Sequence, residues 1–158
     1  CYDRSNRDPM PYDMALSILD DFYEFCNRMN VRGQVTFTGG NPLLYPNFFE
    51  IYKDASEKGF GVAILGNPTP RDQMDKLIGI VKPLFFQISL EGLEEHNDYI
   101  RGPGHFQRSL VFLEQLKAVD IYTMVMLTLT HDNIDQVLPL GELVTDQAQI
   151  HNNGDLQE

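Results

Sequence analysis

Apolar residues recur along the chain at two spacings, one typical of helices and one typical of strands. From Asp13 to Asn30 they return every three or four positions, which predicts an amphipathic helix. Short apolar runs at 35–38, 60–65, 84–90 and 121–130 predict strands. Further helical patterns follow each strand, at 47–58, from 70 to 81, up to 100, at 106–118 and at 132–144. This alternation predicts βαβ units and a mainly parallel sheet.

Polar residues mark where these elements begin and end. Asn47 and Asp132 are placed to cap the second and last helices, and Thr69 to cap a helix whose first residue is Pro70. The pattern predicts one domain over residues 1–144. The polar tail 145–158 is predicted to lack stable structure.

Composition narrows the class of function. Of the 158 residues, 42% are hydrophobic, as in a globular chain with a core. The net charge of −11 argues against binding nucleic acid or an anionic membrane surface, since both require clustered Lys and Arg. No apolar run has the length of a bilayer span, so no membrane association is expected and the cytoplasm is the expected location.

Candidate chemistry lies where the predicted strands end, because parallel α/β folds bind ligands beyond the carboxyl ends of their strands. The segments in that position are 38–42, 66–69, 91–92 and 128–132. Gly39 and Gly40 would let a ligand approach the backbone closely, although the same residues also suit a plain tight turn.

Taken in order, several of these segments resemble the radical S-adenosylmethionine (SAM) superfamily, and most of all its branch of peptide- and cofactor-maturing enzymes. They are Cys1-Tyr2, the run from Thr38 to Pro42, Ser89-Leu90-Glu91-Gly92, and His96 to Gly102. The resemblance extends from residue 1 to about 144. It implies an α/β fold, a partial parallel (β/α) barrel of the (β/α)6 type. This barrel would be truncated at its N-terminal strand and its C-terminal end, so the chain is interpreted as a fragment of a longer parent.

The resemblance also implies roles for particular residues. Cys1 would be the third cysteine of a Cys-x-x-x-Cys-x-x-Cys loop that binds a [4Fe–4S] cluster, with Tyr2 beside the adenine. A Gly-Gly-Glu-Pro motif that holds the methionine amino group would correspond to Thr38, Gly39, Gly40, Asn41 and Pro42, with Asn41 in place of the usual Glu. Ser89 would contact the ribose, Arg101 the SAM carboxylate, and Leu127 the adenine.

The function so implied is reductive cleavage of SAM at the cluster to make a 5′-deoxyadenosyl radical, with a peptide or peptide-derived cofactor as candidate substrate. SAM and an external electron donor would be partners, and the supplied chain would itself be inactive. Two alternatives stay open. One is a catalytically silent barrel homologue that acts as a binding module, which the Asn41 substitution favours. The other is an unrelated α/β barrel enzyme that acts on a phosphorylated metabolite.

Other polar residues have simpler interpretations. Cys26 lies on the apolar face of the first helix and is expected in the core. His96 and Asp98 could form a solvated helix face as readily as a catalytic pair, and Arg101 could simply cap a helix end. Three further histidines are interpreted as surface or capping residues, namely His105, His131 and His151.

Overall fold

The computed structural model describes residues 9–149 and their side chains as far as residue 145. The chain divides into two compact units. The first contains the residues up to Leu65 together with Pro70–Leu84, and the second contains Gly66–Thr69 together with the chain from Phe85 onward. Each unit carries strands and helices of its own, which confirms the predicted α/β class.

The first unit is built around two parallel strands that are consecutive in sequence. Strand β1 pairs with β2 in a register that sets Val35 opposite Val62. Helices separate and follow the strands, as the alternating pattern predicted. In chain order the elements are α1 Tyr12–Met29, β1 Gln34–Phe37, a 3₁₀ helix Pro42–Leu44, α2 Phe48–Glu57, β2 Gly61–Leu65 and α3 Arg71–Ile80.

Aromatic packing forms the core of this unit. Tyr52 of α2 has no exposed surface, and its ring lies 5.7 Å from that of Phe37 and 5.6 Å from that of Phe48. Its hydroxyl donates to the carbonyl of Val81 at 2.9 Å, so the buried polar group is satisfied. Burial raises the pKa of Tyr52 well above its usual range.

The second unit repeats the arrangement with another parallel pair. Strand β3 pairs with β4, and Ile88 lies opposite Val125. Leu90, Phe106 and Leu140 form a buried cluster in this unit. The elements are β3 Phe86–Ser89, α4 Glu94–Arg101, α5 His105–Ala118, β4 Thr123–Met126, a second 3₁₀ helix Ile134–Gln136 and α6 Val137–Gln149.

The strands of the second unit are shorter than their apolar runs predicted. The predicted strand at 121–130 pairs only over Thr123–Met126, and the predicted strand at 84–90 only over Phe86–Ser89. The flanking residues Leu90 and Ile121 are buried although they lie outside the paired strands, and the N–H of Leu90 still donates to the carbonyl of Met126 at 3.0 Å. The apolar runs therefore predicted the burial of these two residues correctly but predicted strands that are too long.

Two predicted helix caps are wrong. Pro70, and not Thr69, occupies the cap position of α3, and the Thr69 hydroxyl donates to the carbonyl of Asn67 at 2.9 Å. Asp132 does not cap the last helix, since Asn133 occupies the cap position of a 3₁₀ helix that comes first. Helix α6 continues past the predicted end at 144 to Gln149, and residues 150–158 lie outside the described part. No helix between residues 9 and 149 is both long and apolar enough to cross a membrane.

Candidate functional site

The loop after β1 has a backbone that requires glycine and is open to its surroundings. Gly39 and Gly40 have φ angles of 109° and 87°, a region that L side chains rarely adopt. A Cβ built at either position would meet no atom within 4 Å, so conformation and not crowding demands glycine here. Thr38 and both glycines are exposed. Their peptide groups are therefore accessible to a ligand.

Asn41 ends this loop and starts the first 3₁₀ helix. Its Oδ1 atom accepts a hydrogen bond from the backbone N–H of Leu43 at 3.3 Å, and the buried Pro42 occupies the first helical position. One lone pair of the amide oxygen is thus occupied within the turn. The other can accept a further bond, but the neutral amide offers no charge to a cationic group.

A cavity of about 890 Å³ borders the same loop within the first unit. Its volume lies in the range typical of small-molecule sites. Thr38, Gly39, Asn41 and Pro42 belong to its lining. Apolar side chains make up most of the remainder, among them Met10, Ile18, Leu19, Val35, Phe37 and Leu44.

In the second unit, the residues that follow β3 are held by several polar side chains. Ser89 is half-buried at the end of the strand, and Glu91 is buried just beyond it. The backbone N–H of Glu91 donates to Asn97 Oδ1 at 3.1 Å, and its carbonyl accepts from Asn133 Nδ2 at 3.0 Å. Its carboxylate accepts from Arg101 Nε at 2.9 Å and from the Nη2 atom of the same side chain. Glu91 is therefore held at its N–H, its carbonyl and its carboxylate.

Asn133 also connects this segment to the residues that follow β4. Its Nδ2 atom donates to the carbonyl of Thr128 at 3.0 Å, and its Oδ1 accepts from the N–H of Thr130 at 2.8 Å. The Asn133 side chain is fully buried. A side-chain amide thus links Glu91 to Thr128 just beyond the point where the paired strands end. The sequence pattern gave Asn97 no role beyond its place in the segment 96–102, and it did not single out Asn133.

Asp98 and His105 are structural residues of this unit. Asp98 is not part of a solvated helix face, and His105 is not a surface or capping residue, so both of those interpretations are wrong. Asp98 accepts from the N–H groups of Phe106, at 2.8 Å, and Gly104 at the start of α5, and these bonds lower its pKa. His105 is 8% exposed, with Nδ1 3.1 Å from Asn97 Nδ2. Burial lowers the pKa of His105, as do the charges of Arg101 and Arg108.

Three other predicted parts of the site also lie in the second unit, namely the segment 66–69, Leu127 and Arg101. Gly66 donates its N–H to the carbonyl of Gln87 at 3.0 Å, which places the segment 66–69 beside β3. Leu127 comes directly after β4 and packs against the cluster of Leu90, Phe106 and Leu140. Arg101 does not simply cap a helix end, because its guanidinium pairs with Glu91.

Comparison with known proteins fits this architecture. The family model described as the radical SAM superfamily matches residues 1–144. The chain belongs to the radical SAM superfamily. Its parallel α/β fold is thus part of the superfamily's barrel. SAM and a [4Fe–4S] cluster are general properties of that superfamily, and its membership supports an enzymatic function.

Curated relatives of this radical SAM chain are similar at low identity. The sporulation killing factor maturation protein SkfB of Bacillus subtilis (strain 168) is 28% identical over 146 residues, which are 90% of this chain and 35% of the relative. An AdoMet-dependent heme synthase of Methanosarcina barkeri (strain Fusaro / DSM 804) is 28% identical over 116 residues, 72% of this chain and 33% of the relative. The Fe-coproporphyrin III synthase of the same organism is 26% identical over 133 residues, with shares of 83% and 32%. The chain spans about a third of the length of these relatives.

The loop after β1 in this radical SAM chain offers acceptor groups that are compatible with part of SAM. The exposed peptide groups of Gly39 and Gly40 beside a cavity suit the amino group of a small cationic ligand. Cys1 and Tyr2 lie outside the described residues, as does His151. Cys26 is buried at 4% exposure, which confirms its place in the core, and the exposed His131 is confirmed as a surface residue. The described residues contain no group of three His, Cys, Asp or Glu side chains arranged to hold a metal ion.

Proposed function

We propose that the protein containing this chain cleaves SAM reductively and uses the resulting radical to modify a substrate. The observation that carries the proposal is the family match over residues 1–144, which includes the open double-glycine loop after β1. When bound, the cluster supplies the electron that breaks a carbon–sulfur bond of SAM and releases a 5′-deoxyadenosyl radical. The chain's own residues bind SAM and orient it.

The proposed SAM-facing residues are those that the family resemblance implies. In the loop after β1, the carbonyl groups of 38–40 and the Asn41 amide oxygen accept from the methionine amino group, with Pro42 holding the turn. Farther along the chain, Ser89 binds the ribose, Leu127 lies near the adenine, and Arg101 is the residue that the resemblance assigns to the SAM carboxylate. Cys1 is the proposed cluster ligand of this chain, and Tyr2 packs beside the adenine.

The proposed substrate is a peptide or a peptide-derived cofactor. This rests on the resemblance of the segments at 89–92 and 96–102 to maturing enzymes, and on similarity to a protein named as a maturation protein for a killing factor. An external electron donor is the further partner. The proposed location is the cytoplasm, where cluster thiolates stay reduced.

Formation of 5′-deoxyadenosine tests the proposal. The whole protein is reconstituted with iron and sulfide under anaerobic conditions, reduced with dithionite and incubated with SAM, and the products are separated by chromatography. The proposal expects 5′-deoxyadenosine only when the cluster, the reductant and SAM are all present. A loaded and reduced protein that leaves SAM intact would instead support a silent barrel that binds a ligand, which the neutral Asn41 favours.

We predict that the 158-residue chain by itself does not retain a [4Fe–4S] cluster. Three thiolates are needed, whereas this sequence holds two cysteines, of which Cys26 is buried next to Gly33. Anaerobic reconstitution followed by iron analysis and EPR spectroscopy measures retention, with the whole protein as the positive control. A stoichiometric, EPR-active cluster on the short chain would contradict the prediction.

We predict that Asn41→Asp lowers the KM of the whole protein for SAM by about tenfold, because a carboxylate attracts the ammonium more strongly than an amide does. Aspartate is chosen because it can keep the bond from Leu43 N–H that the Asn41 oxygen now accepts. Asn47→Asp is the matched control, since Asn47 makes no side-chain bond at the start of α2. Equal KM values for Asn41→Asp and the unaltered protein would exclude a contact between position 41 and the ammonium.

A further inference from the structure

Arg101 and Glu91 form a pair that is largely withdrawn from solvent. The Glu91 side chain is 9% exposed and that of Arg101 is 26% exposed. Both Arg101 hydrogen bonds converge on the same oxygen, Oε1 of Glu91. Removing either partner from such a pair leaves the other charge buried and poorly compensated, so the two residues should behave as one unit.

Glu91 lies close in sequence to a proposed SAM contact, so the pair can affect ligand binding. Glu91 is separated by Leu90 from Ser89, the proposed ribose contact at the end of β3. Its backbone N–H and carbonyl are already bonded to Asn97 and Asn133, both fully buried. The bond from Arg101 to the carboxylate adds the third point of attachment. It ties the segment after β3 to the last residue of α4.

We propose that Arg101 is a positioning residue, which acts through Glu91 to hold the segment 89–92 in its SAM-binding conformation and does not itself contact the SAM carboxylate. This inference rests on the proposed function. It differs from the role that family resemblance implies for Arg101, and the two roles predict different losses in variant proteins. Positioning makes Glu91 and Arg101 equally important for the ribose end of the ligand.

Two ligands distinguish the roles. SAM carries the carboxylate, whereas 5′-methylthioadenosine keeps the adenine and ribose and has no carboxylate. Dissociation constants for both are measured on the reconstituted whole protein, unaltered and as Glu91→Gln, Arg101→Gln and the double variant. We expect each single variant to weaken both ligands by the same factor, about tenfold to a hundredfold, as is typical when a supporting contact is lost. The double variant should lose no more than either single variant.

Arg108→Gln is the matched control, because Arg108 is an exposed arginine that donates to the carbonyl of Pro103, at 3.1 Å, and not to Glu91. It should change neither dissociation constant. Thermal unfolding of each variant sets a temperature at which all are folded. If a single variant does not fold, the double variant, in which no charge is left unpaired, provides the comparison with the unaltered protein.

Two results would overturn the proposal. If Arg101→Gln weakened the binding of SAM alone, and Glu91→Gln weakened neither ligand, Arg101 would contact the carboxylate directly. That result would overturn the proposal. Lower thermal stability with unchanged dissociation constants would mean a structural role alone and would overturn it as well. The KM for SAM in 5′-deoxyadenosine formation is measured on the same single and double variants and should change in the same way as the dissociation constants. An unaltered, cluster-loaded protein that neither binds nor cleaves SAM would instead refute the proposed function.

Discussion

Replacing Asn133 by alanine is expected to lower the free energy of unfolding by about 2–4 kcal/mol, because its buried side chain makes bonds whose partners would lose them. Those partners are the carbonyls of Glu91 and Thr128 and the N–H of Thr130. Denaturation by urea, followed by circular dichroism, measures the loss. Hydrogen exchange at the Thr130 amide should accelerate at the same time.

Two further variants sharpen this prediction. Asn133→Asp keeps an acceptor for Thr130 but turns a carboxylate oxygen toward the two carbonyls, so it should cost at least as much as alanine. Asn47→Ala removes an asparagine that makes no side-chain cap bond, and its effect should stay within about 0.5 kcal/mol. If Asn133→Ala lowered the free energy of unfolding no more than Asn47→Ala does, the hydrogen bonds of the Asn133 side chain would not stabilise the protein.

Alanine at Gly40 is expected to raise the KM for SAM of the whole protein by roughly tenfold to a hundredfold. A residue with a Cβ at a φ of 87° is strained by about 1–3 kcal/mol, and the loop should relax into another conformation. In the proposed binding mode, the carbonyl groups of 38–40 would then no longer point toward the methionine amino group. Initial rates of 5′-deoxyadenosine formation over a range of SAM concentrations measure the change.

Two other glycines separate strain from function. Gly59 also has a positive φ, 81°, with no atom near its missing side chain, so Gly59→Ala should lower stability without raising KM. Gly79 lies inside α3 with open space around it, and Gly79→Ala should stabilise the protein by about 0.5–1 kcal/mol. A KM that rises equally in Gly40→Ala and Gly59→Ala would show that the effect comes from lost stability alone.

The sequence predicted those parts of the fold that depend on repeated apolar positions. Helix α1 runs from Tyr12 to Met29, close to the predicted 13–30, because its apolar stripe is set by local spacing. The loop at Gly39 and Gly40 was also predictable, since a double glycine after a strand indicates an unusual backbone. Such features need no knowledge of distant residues.

The support around Glu91 could not be predicted in the same way. Asn97 and Asn133 are polar and look like surface residues in the sequence, and they are buried because Glu91 offers them partners. His105, next to Gly104, has the local pattern of a surface cap, yet it lies against the Asn97 amide. Burial of a polar side chain depends on which partner the fold brings to it, and single-sequence patterns carry no signal for that pairing.

The three attachments of Glu91 differ in how much chain they enclose, and this sets the order in which they can form. Its partners Asn97 and Arg101 lie 6 and 10 positions away, whereas Asn133 lies 42 positions away. Closing the longer loop costs more chain entropy and must await strand β4. During synthesis, Glu91 thus meets its two local partners well before Asn133 has left the ribosome. The ribose side of the proposed site is therefore completed late, when the nascent chain joins its third and fourth strands.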